Sequence, residues 1–531
     1  MDKLRKTIDR SALKNPICLV ICFLSGAVGA LPYYFEAAFP LTFISLIAFF
    51  CVLICRLRAK RKIFFPCFFY FLGFYIPVYF FLSELYPFAR FGFSGSQAVF
   101  VLICACVLIP AYHALLRSLV LLLLKAIPKR LRTCLTFSFV FLLSELITTV
   151  GTLAFPWANV AVSLTGFLPY LQIASLFGVT FITLITAAVC FAAAKFFTGS
   201  ENIKRYLLIA LAVFTVNTAA GAVIYFIPVG AKETVSAALV QGNISSNDKW
   251  AAENREAIFE KYVSLASEAA KNDAKLIVLP ESAIPMDFVP EGRLHKAFSK
   301  ICKEYGAVII AGVTVSENKV SYNSVLAVLP DGSVTERYDK RHPVPFGEFI
   351  PFADVIGKFF PFVKEFNESS SDYGAGDSFV NLDTGKGVYG PVVCFDSIFP
   401  QFTREAAKNG AQALVVVTND SWFEDSAGIY THLRHAQLRA IENRKPVLRA
   451  ANTGISAFIK NNGTVRSRSE ALTEEIVYGT VFTNDSVSLY SRIGDTGVFI
   501  LYAAILLLHI IFIIFKRYDH GKNKTARKRD L

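Results

Sequence analysis

Gly387-Val388-Tyr389-Gly390-Pro391-Val392-Val393-Cys394-Phe395-Asp396 is the stretch from which the rest of the chain is read. Its β-branched valines predict a short buried strand that delivers one cysteine to a sharp turn. Asp396 and Ser397 are placed to cap a helix running through Phe399-Pro400 to Lys408, with Pro400 tolerated in the first turn. A thiol at a strand end beside a helix N-terminus is expected to have a lowered pKa. A lone buried cysteine is more commonly a small hydrophobe, so the assignment depends on what else the chain carries.

Upstream, 54% of the 531 residues are hydrophobic and the mean hydropathy is +0.47, too apolar for an ordinary soluble enzyme. Long apolar runs account for the excess: 17–34, 39–55, 63–82, 97–124, 133–150, 168–194, 206–227 and, alone near the C-terminus, 496–515. The first follows a basic start but lacks a small-residue cleavage site, so it is expected to be a retained helix. This predicts a seven-span membrane domain over 1–228 and a catalytic domain over 229–493. An eighth transmembrane helix over 494–516 and a basic tail over 517–531 complete the expected layout.

The net charge of +13 raises the question of nucleic acid, but its distribution excludes that reading. Alternate threading of the spans gathers 24 Lys and Arg on one side, against Arg90 alone in the short loops opposite. The positive-inside rule makes the basic side cytoplasmic, with both termini there, and the large domain periplasmic. Nine of the 11 cysteines lie in the membrane half. Cys302 and Cys394 remain as an available pair in an oxidising compartment. No zinc-type Cys/His spacing and no glycine-rich phosphate loop occurs, so no metal or organic cofactor is expected.

Two features of the membrane half stand out. Phe155-Pro156-Trp157 at a span end reads as an interfacial anchor. Glu145, a carboxylate inside an apolar run, is expected to face a bundle interior or polar cavity. In the exported region short apolar strands alternate with amphipathic helices, predicting an α/β sheet covered by helices and two such layers packed together.

Three strand ends or turns there carry charge: Glu281 after Lys275–Pro280, Lys340 in Tyr338-Asp339-Lys340, and Glu348 after Pro345-Phe346-Gly347. A cysteine nucleophile needs a base to take its proton and a cation or N–H donors for the oxyanion. Glu281 and Lys340 supply these types. His432 and His435, three apart on a helical segment, lack a third ligand in register and read as structural histidines. A Cys–His protease arrangement would recruit one of them but leave Glu281 and Lys340 without work.

Leu279-Pro280-Glu281-Ser282-Ala283, Tyr338-Asp339-Lys340 and Val393-Cys394 resemble the Glu–Lys–Cys triad of the nitrilase superfamily, whose fold is an α-β-β-α sandwich. The likeness extends to the apolipoprotein N-acyltransferase family. It is carried by Val240-Gln241-Gly242-Asn243 with Lys249-Trp250, His342–Glu348, Asn419–Phe423, Arg439–Arg444 and Arg449–Ser456, with Phe155-Pro156-Trp157 and Gly494-Asp495 fitting as well. The resemblance covers essentially the whole chain. It implies that Cys394 attacks the sn-1 ester of a phospholipid, phosphatidylethanolamine being the expected donor. The acyl chain then passes to the α-amine of a diacylglyceryl cysteine on an apolipoprotein. It also implies Glu281 as base, Lys340 as oxyanion partner, Glu348 as a support for both, and Trp250 as a gate or contact for acceptor and lipid. Phe395 and Asp396 depart from the family's Tyr and Glu, which puts substrate handling or the second step in question. Phe349–Phe366, with six phenylalanines, is expected to be a lid touching the bilayer or a loop packed on the domain. The alternatives are a membrane-tethered amidase, in which water resolves the thioester, and a non-enzymatic lipoprotein scaffold.

Overall fold

A computed structural model describes residues 15–86, 95–199, 203–345, 347–349, 351–352, 357–358 and 373–527. Most of Phe349–Phe366, expected to be a lid or a packed loop, therefore lies outside the described residues, as does the basic arm before Asn15.

The N-terminal region is a bundle of apolar helices. They are α1 Asn15–Ala30, α2 Pro40–Arg58, α3 Phe64–Val78 and α4 Gly95–Ile103, which continues through a π-helical stretch, Cys104–Leu108, into α5 Ile109–Leu121. After these come α6 Cys134–Leu146, α7 Ala174–Phe197 and α8 Ile203–Phe226. Among the described residues six helical stretches are long and apolar enough to cross a membrane, one of them near the C-terminus. The expected third and fifth spans are shorter as α-helices, 15 and 13 residues. Each then tightens into a 3₁₀ segment, Phe80–Leu85 and Ile147–Thr149, whose steeper rise extends its reach. The expected sixth span is broken: Leu168–Leu171 forms a separate helical turn ahead of α7.

Close approach, rather than hydrophobicity, sets the packing here, because lipid is as apolar as the helices. A Cβ on Gly26 of α1 would stand 2.0 Å from the Tyr70 carbonyl oxygen. One on Gly73 of α3 would stand 2.1 Å from that of Phe23. Glu145 is buried and satisfied inside the bundle: Thr183 Oγ1 donates to it at 2.6 Å and the Val160 N–H at 3.1 Å.

The second region begins with β1 Glu233–Gln241, α9 Arg255–Lys271, β2 Leu276–Leu279, α10 Arg293–Tyr305, β3 Val308–Glu317 and β4 Val320–Val328. It continues with β5 Tyr338–Asp339, β6 Tyr373–Gly374, β7 Leu382–Asp383, β8 Val388–Val393, α11 Pro400–Lys408, β9 Ala413–Thr418 and α12 Ala427–Asn443. Then come β10 Val447–Ala451, β11 Ala457–Ile459, β12 Val465–Arg468, β13 Glu475–Thr483 and the closing helix α13 Leu489–Arg527. One sheet runs β13-β1-β2-β3-β4-β5, with β6 on β4, and the other runs β12-β11-β10-β9-β8-β7.

The strands are apolar on both faces, so period two sorts residues between two cores. In β9, Ala413, Val415 and Val417 face the opposite sheet, while Leu414 and Val416 face the helices outside. In β2, Leu276 and Val278 point inward, and Ile277 and Leu279 pack beneath α9 and α10. The result is the expected α-β-β-α sandwich. Its second outer layer, α11 and α12, shares one continuous apolar core with the membrane helices. That is why α12 is buried on nearly every side, with Tyr430 its exposed exception.

Candidate active site

The C-terminal ends of β2 and β8 meet here. β8 ends at Val393, and Cys394 follows in the left-handed region at φ +47°, a conformation uncommon for a side chain with a Cβ. A 3₁₀ turn, Cys394–Ile398, follows before α11 starts at Pro400. The sharp turn is as expected; the capped helix is not. The N-cap of α11 is Phe399, without a side-chain cap, because Asp396 and Ser397 are engaged elsewhere.

Asp396 is fully buried and grips the segment after β5. Its Oδ2 accepts from Tyr338 Oη at 2.8 Å and the Arg341 N–H at 3.2 Å, and its Oδ1 accepts from the His342 N–H at 2.9 Å. Those residues flank Lys340. Burial pushes the Asp396 carboxyl up to about 6, with Lys340 and the three hydrogen bonds opposing the rise.

Lys340 is buried between two carboxylates. Its Nζ lies 2.7 Å from Glu348 Oε1 and 3.4 Å from Glu281 Oε1. Burial by itself would lower the ammonium's pKa, but Glu348 and then Glu281 outweigh it and hold Lys340 well above the usual lysine range. The shorter contact makes Glu348 the main ion-pair partner. Glu348 Oε2 also accepts from the Val344 N–H at 2.8 Å, so this carboxylate is doubly committed. Glu281 is held by Asn323 Nδ2 at 2.6 Å, and its backbone carbonyl accepts from Lys249 Nζ at 3.0 Å. The turn after β2 sits hard against β3: a Cβ on Gly312 would come 2.4 Å from the Pro280 carbonyl oxygen.

The Cys394 thiol is not lowered. Burial pushes its pKa up, and the Glu281 charge pushes it further, with Lys340 opposing. Desolvation of the thiolate outweighs a turn dipole. Cys302 is also free, and its Sγ donates to the Val328 carbonyl at 3.4 Å, so the pairing left open from the sequence is not made.

Phe395 and Phe155 stack with ring centroids 5.8 Å apart, joining the membrane domain to the thiol turn. Trp157 is not the interfacial anchor expected. It is 2% exposed, lies 4.9 Å from Phe81 and 5.7 Å from both His432 and His435, and its carbonyl accepts from His435 Nε2 at 3.1 Å. Trp250 is 40% exposed beside Lys249, a position open to an incoming molecule. His432 has a structural setting, Nδ1 on Asp420 Oδ1 at 2.8 Å and Nε2 on Ser397 Oγ at 2.9 Å. It reaches the Cys394 carbonyl at 3.3 Å, which does not fit a Cys–His protease. Among the described residues no cluster of metal-ligating side chains occurs. Reading the sequence missed Asn323, the grip of Asp396 and the Asp420–Arg449 pair. Each is a polar residue whose partner lies on a distant strand.

A two-sheet sandwich with a half-buried cysteine, two carboxylates and a buried lysine at its strand ends, built into a bundle of apolar helices, defines a membrane-bound protein of the carbon-nitrogen hydrolase type. Residues 236–488 match the carbon-nitrogen hydrolase family and residues 25–192 the apolipoprotein N-acyltransferase N-terminal domain. The apolipoprotein N-acyltransferase of Geobacter metallireducens is 34% identical over 354 residues, covering 64% of this chain and 67% of that protein. That of Haemophilus influenzae is 28% identical over 512 residues, 94% of this chain and 95% of that protein. Among solved structures, Nit3 of Saccharomyces cerevisiae, a member of the nitrilase superfamily, aligns at 20% identity with a TM-score of 0.38, covering 48% of this chain and 91% of that one. The chain belongs to the apolipoprotein N-acyltransferase family.

Proposed function

We propose that this protein is an acyltransferase of lipoprotein maturation, moving an acyl chain from a membrane phospholipid to the N-terminal amine of diacylglyceryl apolipoproteins. The observation that carries the catalytic assignment is the buried Lys340 ammonium held between Glu348 and Glu281, whose charges, Lys340 and Glu281, act on the Cys394 thiol.

Glu281 takes the thiol proton as Cys394 sulfur attacks the sn-1 ester carbonyl. The resulting oxyanion is offset by Lys340, which Glu348 holds in place. Collapse breaks the ester C–O bond. The leaving alkoxide takes the proton back from Glu281, giving a lysophospholipid and the Cys394 thioester. The α-amine of the S-diacylglyceryl cysteine then attacks the thioester carbonyl and surrenders a proton to Glu281. The thiolate leaves and is reprotonated, releasing the N-acylated lipoprotein. No metal or organic cofactor takes part. Trp250 is assigned to substrate contact, and phosphatidylethanolamine is the proposed donor. The membrane domain is placed at 1–228, the catalytic domain at 229–493 on the periplasmic side of the inner membrane, the closing helix at 494–516 and the tail at 517–531. Both termini are then cytoplasmic, as the loop charges favour.

The test is intact-protein mass after incubation with phosphatidylethanolamine, wild type against Cys394→Ala. The expected result is an acyl adduct on wild type alone, chased by a diacylglyceryl-cysteine peptide into N-acylated product. An adduct that water removes and the peptide ignores would establish the amidase instead. Undiminished transfer by Cys394→Ala would discard the nucleophile assignment.

A further inference from the structure

At the end of the sandwich opposite Cys394, where α8 leaves the apolar bundle, lies a cavity that the acyl-transfer steps do not use. Its volume is about 230 Å³, and it opens between the start of β10, the hairpin of β11 and β12, and the last residues of β13. β8, β9 and β10 run parallel, so Val447 stands at the start of that sheet and Cys394 beyond its other end. Val447, Phe458, Val481 and Phe482 give the cavity apolar walls, and Lys460 and Arg466 are the exposed cations on its lining. Among the described residues no carboxylate lines it, and neither cation pairs with one. The carboxylate just past the lining, Asp485, is already engaged by Lys232 at 3.1 Å and by Gln412 Nε2 at 2.8 Å.

The cavity sits at the depth where α8 ends. Val223, Phe226 and Ile227 are exposed apolar residues at that end, and the chain carries no charge after them until Lys232. The sandwich is tied to the same point. Arg444 Nη1 and Nη2 donate to the Ile224 and Ile227 carbonyls at 3.1 and 3.0 Å, and Tyr225 Oη lies 2.9 Å from Thr464 Oγ1. Thr464 belongs to the turn between β11 and β12, so Lys460 and Arg466 flank a turn held against a helix able to cross the membrane. The turn is closed by the Lys460 N–H donating to the Thr464 carbonyl at 2.8 Å, and the Arg466 guanidinium lies 5.1 Å from the Phe482 ring. Cations above apolar walls, at the depth where hydrocarbon gives way to water, suit a phospholipid headgroup. Size limits what enters: 230 Å³ is below the range of about 300–1,000 Å³ that encloses a drug-sized molecule. A headgroup and its phosphate fit, and the acyl chains stay outside along the exposed face of α8. Charge selects among headgroups. The ammonium of phosphatidylethanolamine would meet two cations and no lining carboxylate, whereas a headgroup whose only charge is its phosphate meets attraction alone.

We propose that this corner is a binding site for the headgroup of an anionic phospholipid, separate from the site of Cys394, with the phosphate held by Lys460 and Arg466. Occupied, it fastens the far end of the sandwich to the headgroup layer, while the Phe155–Phe395 stack joins the near end to the helices. The inference does not rest on the acyl-transfer reading.

The test is native mass spectrometry of the full-length, detergent-solubilised protein, titrated in turn with phosphatidylglycerol, phosphatidylethanolamine and inorganic phosphate. Wild type is expected to retain one phosphatidylglycerol at least about fivefold more tightly than phosphatidylethanolamine. A cation beside an anionic lipid is worth about fivefold in affinity, so Lys460→Gln and Arg466→Gln should each weaken retention by about that factor, and the double variant by about 25-fold. Arg468→Gln removes an exposed cation of the same strand that does not line the cavity, and should change retention by less than about twofold. Cys394→Ala should hold the lipid as wild type does, which keeps this outcome apart from that of the acyl-transfer test. Equal retention of the two lipids would overturn the proposal by showing no headgroup selection. An equal loss in Arg468→Gln would reduce it to diffuse surface charge. Loss of the lipid in Cys394→Ala would place it at the catalytic site, and its displacement by inorganic phosphate would make the corner a free-anion site.

Discussion

At the scale of single residues, division of labour between two carboxylates follows from 0.7 Å. Glu348 takes the short contact to Lys340, and in the proposed mechanism Glu281 is the carboxylate that accepts a proton. Glu281→Gln keeps the shape and the Asn323 contact but loses the base. Thioester formation should fall about 10²- to 10⁴-fold, read as the rate of adduct appearance by mass. Asp396 makes a pH-dependent contribution to stability. Its folded pKa of about 6 lies above the ordinary 3.8, so between these values the native state binds more protons than the unfolded one. This contribution is fully present below about pH 4 and is lost as pH rises through about 6. Two pKa steps are worth about 3 kcal/mol at most. Wild type should therefore lose thermal stability relative to Asp396→Asn as pH is raised from about 4 to about 6.5, which paired melting curves will measure. A parallel course for the two proteins would remove Asp396 as the source.

At the scale of elements, α1 and α3 touch backbone to backbone at Gly26 and Gly73. Gly73→Ala forces the helices apart, and overpacking of this kind costs about 1–3 kcal/mol. The melting temperature of the solubilised protein should fall, while an alanine at the open Gly230, where an added Cβ meets nothing within 4 Å, should leave it in place. Several elements were readable beforehand. β2, β3, β8, β9 and β10 are short β-branched runs bounded by turns, and α9, α10 and α12 have helical periodicity. The nine-residue β13 was not found. Its pattern, Glu475–Thr483, is half exposed and its apolar residues become a strand face only when paired antiparallel to β1. The cap of α11 was misread for a similar reason. Asp396 and Ser397 suit a local cap, but tertiary partners, the Arg341–His342 backbone and His432, outbid it.

At the scale of the molecule, the sandwich is not a separable body resting on a membrane anchor. Phe395, Phe399, Phe402, Ile429 and Leu433 share a core with the membrane helices. Arg434 Nη1 donates to the Pro32 carbonyl at 2.6 Å, and Glu442 Oε1 accepts from the Val179 N–H at 3.1 Å, next to Gly178 at φ +73°. Expressed alone, 229–493 would expose this apolar layer and buried polar partners together. It should aggregate without detergent, where a self-sufficient sandwich would stay monomeric in size-exclusion chromatography.

The sequence by itself determined the membrane region, the sandwich with its strand-end cysteine, and the residue types of the site, because hydrophobic periodicity and motif spacing are local properties of a chain. Only the tertiary structure decided that burial pushes the thiol's pKa up, that Trp157 is buried against His432, and that His432 joins Asp420 to the Cys394 carbonyl. Burial and long-range polar pairing arise when distant segments exclude water from one another, and neither is written in the neighbourhood of any one residue.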